Sequence, residues 1–393
     1  MELYEAHSQW AQRPDDERFE TLGAMQLATK EHADSARVST VDVGQLRADV
    51  IDGDVRLIGK TETPAKLTHY SFGQLSRYAG APAAYLRELP ATLAAQNLNH
   101  GLKARVQTDK AQLLLHKNGS LVARAITSDS YDRVWNYEVI DALGKRLTPA
   151  GWQVPPARPA RKDQKGTRVA TEADILPNQG DFGLRVKVGD PIAPAGLYAS
   201  DHDMFAFLVN TRDQINDGAK LLSRGVFIQN SEVGDCSLRL KTFTLDHVCG
   251  NHIVWGASNV TEVSVRHVKG ELSHRGRTLG KAFAKWSLLS RQLPSAGELE
   301  TQIKAAKAKE IGATKEEVLD ALFSFARARG LQALSRSALE AGYDVAERTP
   351  RYGSPRSVWG VVNGLTEYSQ TTPFADERTT LDVQAGRIME MAF

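Results

Sequence analysis

The stretch AQLLLHKNGSLVARAI, residues 111–126, limits the fold of this chain more than any other. Two apolar runs flank Asn118-Gly119. An Asn-Gly pair adopts the left-handed backbone angles of a type I′ turn, whose twist matches that of paired strands, so the segment predicts a β-hairpin. ADVIDGDVRLIG, residues 48–59, repeats the device around Asp52-Gly53.

The rest of the pattern is mixed. Residues 63–102 read as a compact helical unit, with Thr63-Pro64 as one helix start and Ser71 with Gln74 as a capping box for a second. After the hairpin, YDRVWNYEVIDALGKRL predicts a helix from Tyr131 to Leu147 with Val134, Tyr137, Ile140 and Ala142 on its buried face. Residues 148–180 break down into Pro, Gly, Lys and Arg and predict a long loop. Residues 181–269 are β-rich: GLRVKV, LYASDHDMFAFLV, SRGVFIQN, SLRLKTFTLDHVC, HIVWG and EVSVRHV. From about 277 onward the pattern is helical, with capping boxes at Ser295/Glu298 and Thr314/Glu317 and helix starts at Ser354-Pro355 and Thr372-Pro373. The fold class is therefore α+β: a β-hairpin–helix unit, an antiparallel-rich sheet that pairs with the hairpin, and a helical C-terminal third. The expected division is an acidic N-terminal segment (1–60), an α+β core (61–295) with a basic loop near 148–180, and a helical C-terminal region (296–393).

Charge is informative only when resolved along the chain, because the net value is +2. Residues 1–60 carry seven basic and twelve acidic side chains. Residues 155–168 hold Arg158, Arg161, Lys162, Lys165 and Arg168 against Asp163 alone. In RTLGKAFAKWSLLSRQL, Arg277, Lys281 and Lys285 are four apart and share one helical stripe, while Leu279, Phe283 and Trp286 share a buried one. Such patches attract polyanions even on a nearly neutral molecule; a charge run is otherwise simply a solvated face. No apolar run reaches the roughly 18 residues of a membrane span. The polar, acidic start reads as neither a signal nor a transit peptide, and two cysteines in 393 residues suit a reducing cytoplasm.

NSEVGDCSLRLKTFTLDHVCGNHIVWG, residues 230–256, admits three chemistries. Cys236, His247, Cys249 and His252 are zinc-type ligands, but their spacing is not a paired one. Asp201 and Asp203, on one face of a strand, together with Glu232 and Asp235 offer carboxylates that would hold Mg²⁺ for phosphoryl transfer if they converge. The structural alternative makes Asn230 and Ser231 turn-closing residues, gives Gly234 a left-handed angle, and places a second turn at Gly250-Asn251. This reading is favoured, with no metal or cofactor. There is no G-x-S-x-G elbow, no phosphate-binding G-x-x-x-x-G-K-[ST] and no dinucleotide G-x-G-x-x-G after a strand.

ARAITSDSYDRVWNYEVIDAL, GVFIQNSEVGDCSLRL, DHVCGNHIVWG and VWGVVNGLTEYSQ, in that order, resemble a phage- and plasmid-encoded family carrying a domain of unknown function, over roughly residues 60–390. The residues that match are Ser128, Tyr131, Arg133, Asn230, Ser231, Glu232, Gly234, Cys249 and Asn251. The hairpin–helix unit at 111–147 also resembles that of Rad52-type single-strand annealing proteins, a fold-level analogy. These resemblances imply a mobile-element setting and DNA recombination or replication.

The favoured expectation is a cytoplasmic, self-associating protein that binds single-stranded DNA. It would use the basic loop 155–168 and the 277–285 stripe, with Trp152 and Tyr131 as stacking platforms. The alternatives are a Mg²⁺-dependent nuclease or nucleotidyltransferase using Asp201, Asp203, Glu232 and Asp235, and an inhibitor that docks on a host protein through residues 1–60.

Overall fold

The computed structural model describes residues 15–59, 63–104, 110–155, 158–160, 167–175, 186–193, 197–200, 202–216, 221–246, 251–253, 262–272, 275–290, 296–369, 371–372 and 375–393. The fold is α+β, as the periodicities predict. Two antiparallel-rich sheets are each backed by helices, and a helical region follows.

The first sheet has six strands in the order Ala36–Asp42, Lys110–Asn118, Ser120–Ser128, Ala65–Leu67, Asp54–Ile58, Arg47–Ile51. Both predicted hairpins are present. At the first, Asp52 and Gly53 take φ of 54° and 82°, the two left-handed residues of a type I′ turn. The second is tighter than predicted: Asn118 pairs with Ser120, which leaves Gly119, φ 67°, alone between the strands. Further along this hairpin Leu114 faces Ala125 while Leu115 faces Ala123, so Arg124 is the extra residue of a β-bulge. The bulge changes the side-chain phase. Ala123 and Ile126 both join the core under helices His69–Ala79 and Ala91–Ala104, with Phe72, Leu75 and Leu98, whereas Ala125 turns to the opposite face and packs with Leu114 and Val233.

The helices at 69–104 begin later than Thr63-Pro64 suggests. Residues 65–67 are a strand, because Leu67 completes the first sheet beside Ala123. The cap is Thr68, whose hydroxyl accepts from the Ser71 amide at 3.1 Å while Ser71 Oγ accepts from the Thr68 amide at 2.9 Å. Ser71 therefore closes this box rather than opening another, and Gln74 is released for a different task described below. The helix placed at Tyr131–Leu147 spans Asn136–Arg146 instead. Residues 129–130 form a turn and Tyr131 bridges Val268: the Asp132 amide donates to the His267 carbonyl at 3.0 Å, and the Lys269 amide donates to the Ser130 carbonyl at 3.2 Å.

The second sheet centres on three long strands, Met204–Asn216, Leu221–Asn230 and Leu238–Asp246, each antiparallel to the next. Arg18–Phe19, Trp152–Gln153, Leu197–Ala199, Asn251–Ile253 and Glu262–Val265 add to it. Among the described residues the hairpin at 110–128 and these strands lie in separate sheets, so the strand pairing expected between them does not occur. Alternation along the long strands puts Met204, Ala206, Leu208, Val226, Ile228, Leu238 and Leu240 on one face. Helix Arg275–Ser290 covers that face with Leu279, Phe283 and Trp286, the stripe its periodicity predicts, and helices Leu22–Asp34 and Asn136–Arg146 add Met25, Val139 and Leu143. The acidic N-terminal segment is thus built into both sheets from residue 15 onward. Between the helix at 136–146 and the long strands, Arg158–Pro159, Pro191–Ala193 and Arg168–Val169 form a small third sheet over Ala170, Val186 and Ile192. Residues 183–185 of GLRVKV and the caps at Ser295 and Pro373 lie outside the described residues.

The C-terminal helices Ala296–Ala308, Lys315–Ala328, Arg336–Arg348, Val358–Ser369 and Ala375–Gly386 share a core around Trp359, Leu322, Tyr343 and Leu365. Thr314 caps as predicted, accepting from the Glu317 amide. Ser354-Pro355 does not start a helix; Ser357 does, its hydroxyl accepting from the Gly360 amide at 3.0 Å. A Cβ at Gly364 would fall 2.1 Å from the Gly342 carbonyl, so the helices at 336–348 and 358–369 cross where neither has a side chain. Among the described residues, no helix is long and apolar enough to cross a membrane.

Candidate functional site

The turn Asn230–Asp235 is where the two sheets meet, and nearly every polar group in it is committed. Asn230 Nδ2 donates to the Val134 carbonyl at 2.9 Å and to Asn136 Oδ1 at 2.8 Å. Ser231 Oγ donates to the His202 carbonyl at 2.7 Å and accepts from the Asp235 amide at 3.1 Å. The Ser231 carbonyl accepts from Tyr131 Oη at 3.0 Å, and the same hydroxyl lies 2.6 Å from His267 Nδ1. Burial pushes the Tyr131 phenol well above its usual range, partly offset by Arg133 nearby. Arg133 Nε donates to the Glu232 carbonyl at 2.5 Å, and its guanidinium lies over the rings of Tyr131 and Trp135. The Glu232 side chain is 2% exposed. It accepts from Arg124 Nη1 at 3.2 Å and from the Asn136 amide, in the first turn of a helix, at 2.8 Å. Gly234 has φ of 91°, the left-handed angle its type predicts. Gln74, freed from capping, donates to the Val233 carbonyl at 2.8 Å and accepts from the Ile126 amide at 2.7 Å. Glu232 is thus a buried carboxylate turned into the seam.

That seam forms the floor of a cleft of about 770 Å³. Helix His69–Ala79 and the helix after it, Ala83–Glu88, supply one wall with Tyr70, Arg77 and Arg87; the second sheet supplies the other with His202, Asp203, Asp235, Arg239 and Lys241. Thr380 of the C-terminal helix Ala375–Gly386 also reaches it. Four cations thus face two carboxylates. Asp203 lies in the turn between strands Leu197–Ala199 and Met204–Asn216 rather than on the face of a strand, and it accepts from Tyr198 Oη at 3.0 Å and Ser200 Oγ at 2.9 Å. The His202 ring lies with Nε2 3.5 Å from Asp235 and Nδ1 3.9 Å from Asp203, its edge packed on Tyr70. Burial lowers the proton affinity of Lys241, with Glu262 at 3.9 Å acting the other way. Burial also raises the Tyr70 phenol, reinforced by Asp235. Cys236 is half-buried in the same lining.

The predicted residues divide accordingly. Asp203 and Asp235 share the cleft, Glu232 is sequestered by Arg124, and Asp201 lies outside the described residues. Among the described residues no three His, Cys, Asp or Glu side chains form a group able to hold a metal ion. His247 and Cys249 lie outside them; Asn251 is in a strand, opposite Asp246. Ser128 Oγ pairs with Ser130 Oγ at 2.9 Å on the surface. Of the basic loop, Arg161, Lys162 and Lys165 lie outside the described residues, and Arg158 is placed in the small sheet by its backbone. Arg168 is engaged by Asp174 and, to a lesser extent, Glu20, which raises its already high proton affinity. Trp152 is 7% exposed and packs edge-on against Trp286 at 5.0 Å, so it has no open face for a base. Arg277, Lys281 and Lys285 are exposed along one stripe, as their spacing predicts. Sequence reasoning missed Tyr70, Arg77, Arg87, His202, Arg239 and Lys241 as a group. The alternation of Arg239 and Lys241 about the buried Leu240 was the one local signal for them.

The family described as a domain of unknown function, DUF932, matches residues 185–385, just over half of the chain. No curated protein and no solved structure matches it. The matched span contains the turn at 230–235 and the sheet wall of the cleft but not the helical wall.

Proposed function

The chain belongs to the DUF932 family, and from that premise we propose that it binds and anneals single-stranded DNA. The setting we infer is a phage or plasmid, with a role in recombination or replication in the host cytoplasm, by a self-associating protein of Rad52-type analogy. The observation that carries this reading is the cleft: Arg77 and Arg87 on one wall, with Tyr70 beside them, face Arg239 and Lys241 on the other. Single-strand sites combine such a basic groove, which follows the phosphates, with aromatic faces that accept bases without regard to sequence. The exposed stripe Arg277, Lys281 and Lys285 gives a further place for backbone phosphates.

The experiment is fluorescence anisotropy with a labelled single strand across a salt titration, followed by addition of the complementary strand. Salt-sensitive binding and accelerated duplex formation support the reading. Absence of binding sinks it and turns attention to a host protein as the partner. Binding with Mg²⁺-dependent cleavage of the DNA replaces annealing with nuclease action.

A further inference from the structure

The six-stranded sheet ends on two edge strands, Ala36–Asp42 and Arg47–Ile51, and they are finished differently. Every second residue of an edge strand turns its amide and carbonyl away from its one neighbour, and such a row is a template for another strand. At Arg47–Ile51 side chains fill that row. Asn99 Oδ1 accepts from the Ala48 amide at 2.8 Å, Asn99 Nδ2 donates to the Ala48 carbonyl at 2.7 Å, and Asp49 Oδ1 accepts from the Val50 amide at 2.8 Å. Ala36–Asp42 has no such cover among the described residues: it pairs with Lys110–Asn118 alone, and no side chain bonds its outer edge. It runs for seven residues without proline or bulge, whereas the end strands of the other two sheets, Arg18–Phe19, Asn251–Ile253, Arg158–Pro159 and Arg168–Val169, have two or three. Arg37, Val38, Thr40 and Asp42 are exposed, Val38 by 44%.

Resting on the reading of the protein as a self-associating annealer, we propose that Ala36–Asp42 is the surface of that self-association: two copies join edge to edge, antiparallel, about a two-fold axis through Ser39. The strand is complementary to its own reverse. Arg37 stands near one end and Asp42 at the other, and among the described residues neither is in an ion pair. Reversal brings the basic end of one copy to the acidic end of the second, whereas a parallel match would set like charges together. Alternation puts Val38 and Thr40 on the face shared with Leu114, and Val41 on the other, in the core under the helices. Pairing about Ser39 sets Val38 of each copy opposite Thr40 of the other, a β-branched cross-strand contact that favours a sheet. The axis is perpendicular to the sheet, so the helices that back it lie on one side in both copies, over one continuous sheet with six strands from each. Annealing requires two strands to be held together, and the pair carries two clefts.

The test uses the full chain in sedimentation velocity over a wide concentration range, with anisotropy on a labelled single strand of DNA in parallel. The expected result is a monomer–dimer equilibrium that Val38→Lys weakens by about tenfold or more, because the contact is lost twice and two ammonium groups are brought together. Val38 is exposed, so this variant should keep the wild-type circular dichroism spectrum. Directly opposed residues of paired strands have Cα atoms within disulfide reach. Ser39→Cys should therefore link two copies on oxidation, through a bond that peptide mapping places at position 39 in both chains. Thr40→Cys, whose counterpart is displaced along the strand beyond that reach, should not link. A dimer that Val38→Lys leaves unchanged, or one in which Ser39→Cys stays unlinked, overturns this inference and sends self-association to another surface. A monomer at every concentration overturns it as well, and if that monomer binds the single strand the reading of the cleft stands. A link at Ser39→Cys with no strand binding supports this interface while sinking the single-strand reading. The cysteine link decides the matter even if the lysine variant does not fold.

Discussion

Arg124 and Glu232 stand 108 positions apart in the chain and meet as a buried ion pair, Nη1 to Oε2 3.2 Å, with 1% and 2% of their side chains exposed. Removing one partner strands the other charge in a low-dielectric seam, which costs more than the pair contributes. Glu232→Gln and Arg124→Met should each destabilise the protein by about 3 kcal/mol. The double variant Arg124→Met with Glu232→Leu should recover a large part of that loss. Urea midpoints followed by circular dichroism measure all three; single variants with wild-type midpoints would show that the pair does not hold the seam.

Gly234 occupies a left-handed angle, and a Cβ there would also stand 3.4 Å from Thr127. Gly234→Ala should cost about 1–2 kcal/mol, the penalty of that backbone region for an L side chain. Gly144→Ala makes the contrasting control, since Gly144 lies within helix Asn136–Arg146 with nothing within 4 Å. It should gain about 0.5–1 kcal/mol from helix propensity. Equal effects at the two positions would contradict the assignment.

Asp382 is fully buried in the C-terminal core, where burial pushes its carboxyl up to about 7, against the opposing pull of Arg378 and a hydrogen bond from Ser369. The folded state thus holds this proton more tightly than the unfolded chain does. The stability it supplies is complete at pH below about 4, the unfolded value, and is lost as pH rises through about 7. The slope is at most about 1.4 kcal/mol per pH unit. Asp382→Asn should flatten the fall in thermal midpoint between those limits and raise stability at alkaline pH. An identical pH profile for the variant would remove Asp382 as the source.

For the cleft, the quantity to follow is the salt dependence of single-strand binding. Each phosphate contact contributes about −0.7 to the slope of log K against log salt on a single strand. Arg77→Ala with Arg239→Ala removes one cation from each wall. The slope should become shallower by about 1.4, together with a loss of affinity at low salt. A parallel loss with no change in slope would mean that these side chains do not touch phosphate.

The sequence made the local elements legible. Asp52-Gly53 and Gly119 fix their hairpins through backbone chemistry that needs no distant partner. The Leu279, Phe283, Trp286 stripe is a periodicity, readable over about two turns of helix. What escaped was assembled from afar. Gln74 has the spacing of a cap partner yet serves Val233, because the nearer Thr68 and Ser71 had already closed a box. The cationic cleft draws Arg77, Arg87, Arg239 and Lys241 from well-separated positions, and no one run of charge contains them all. Arg168, inside the densest basic run, is consumed by Glu20, 148 residues away. Charge density along a chain measures neighbours in sequence, and a binding groove depends on neighbours in space.

The bulge at Arg124 acts as a frame shift written into a strand. Ala123 and Ala125, two apart, would share a face in a regular strand; here they serve different cores because one residue is spare. Substituting Arg124 forfeits a charge; deleting it would make Ala123 and Ala125 adjacent and so leave them on the opposite faces they already occupy, at the loss of the bulge and its ion pair. The spare residue thus serves to carry a guanidinium to Glu232 rather than to decide which side chain enters which core, and identity here should be more strictly preserved than length.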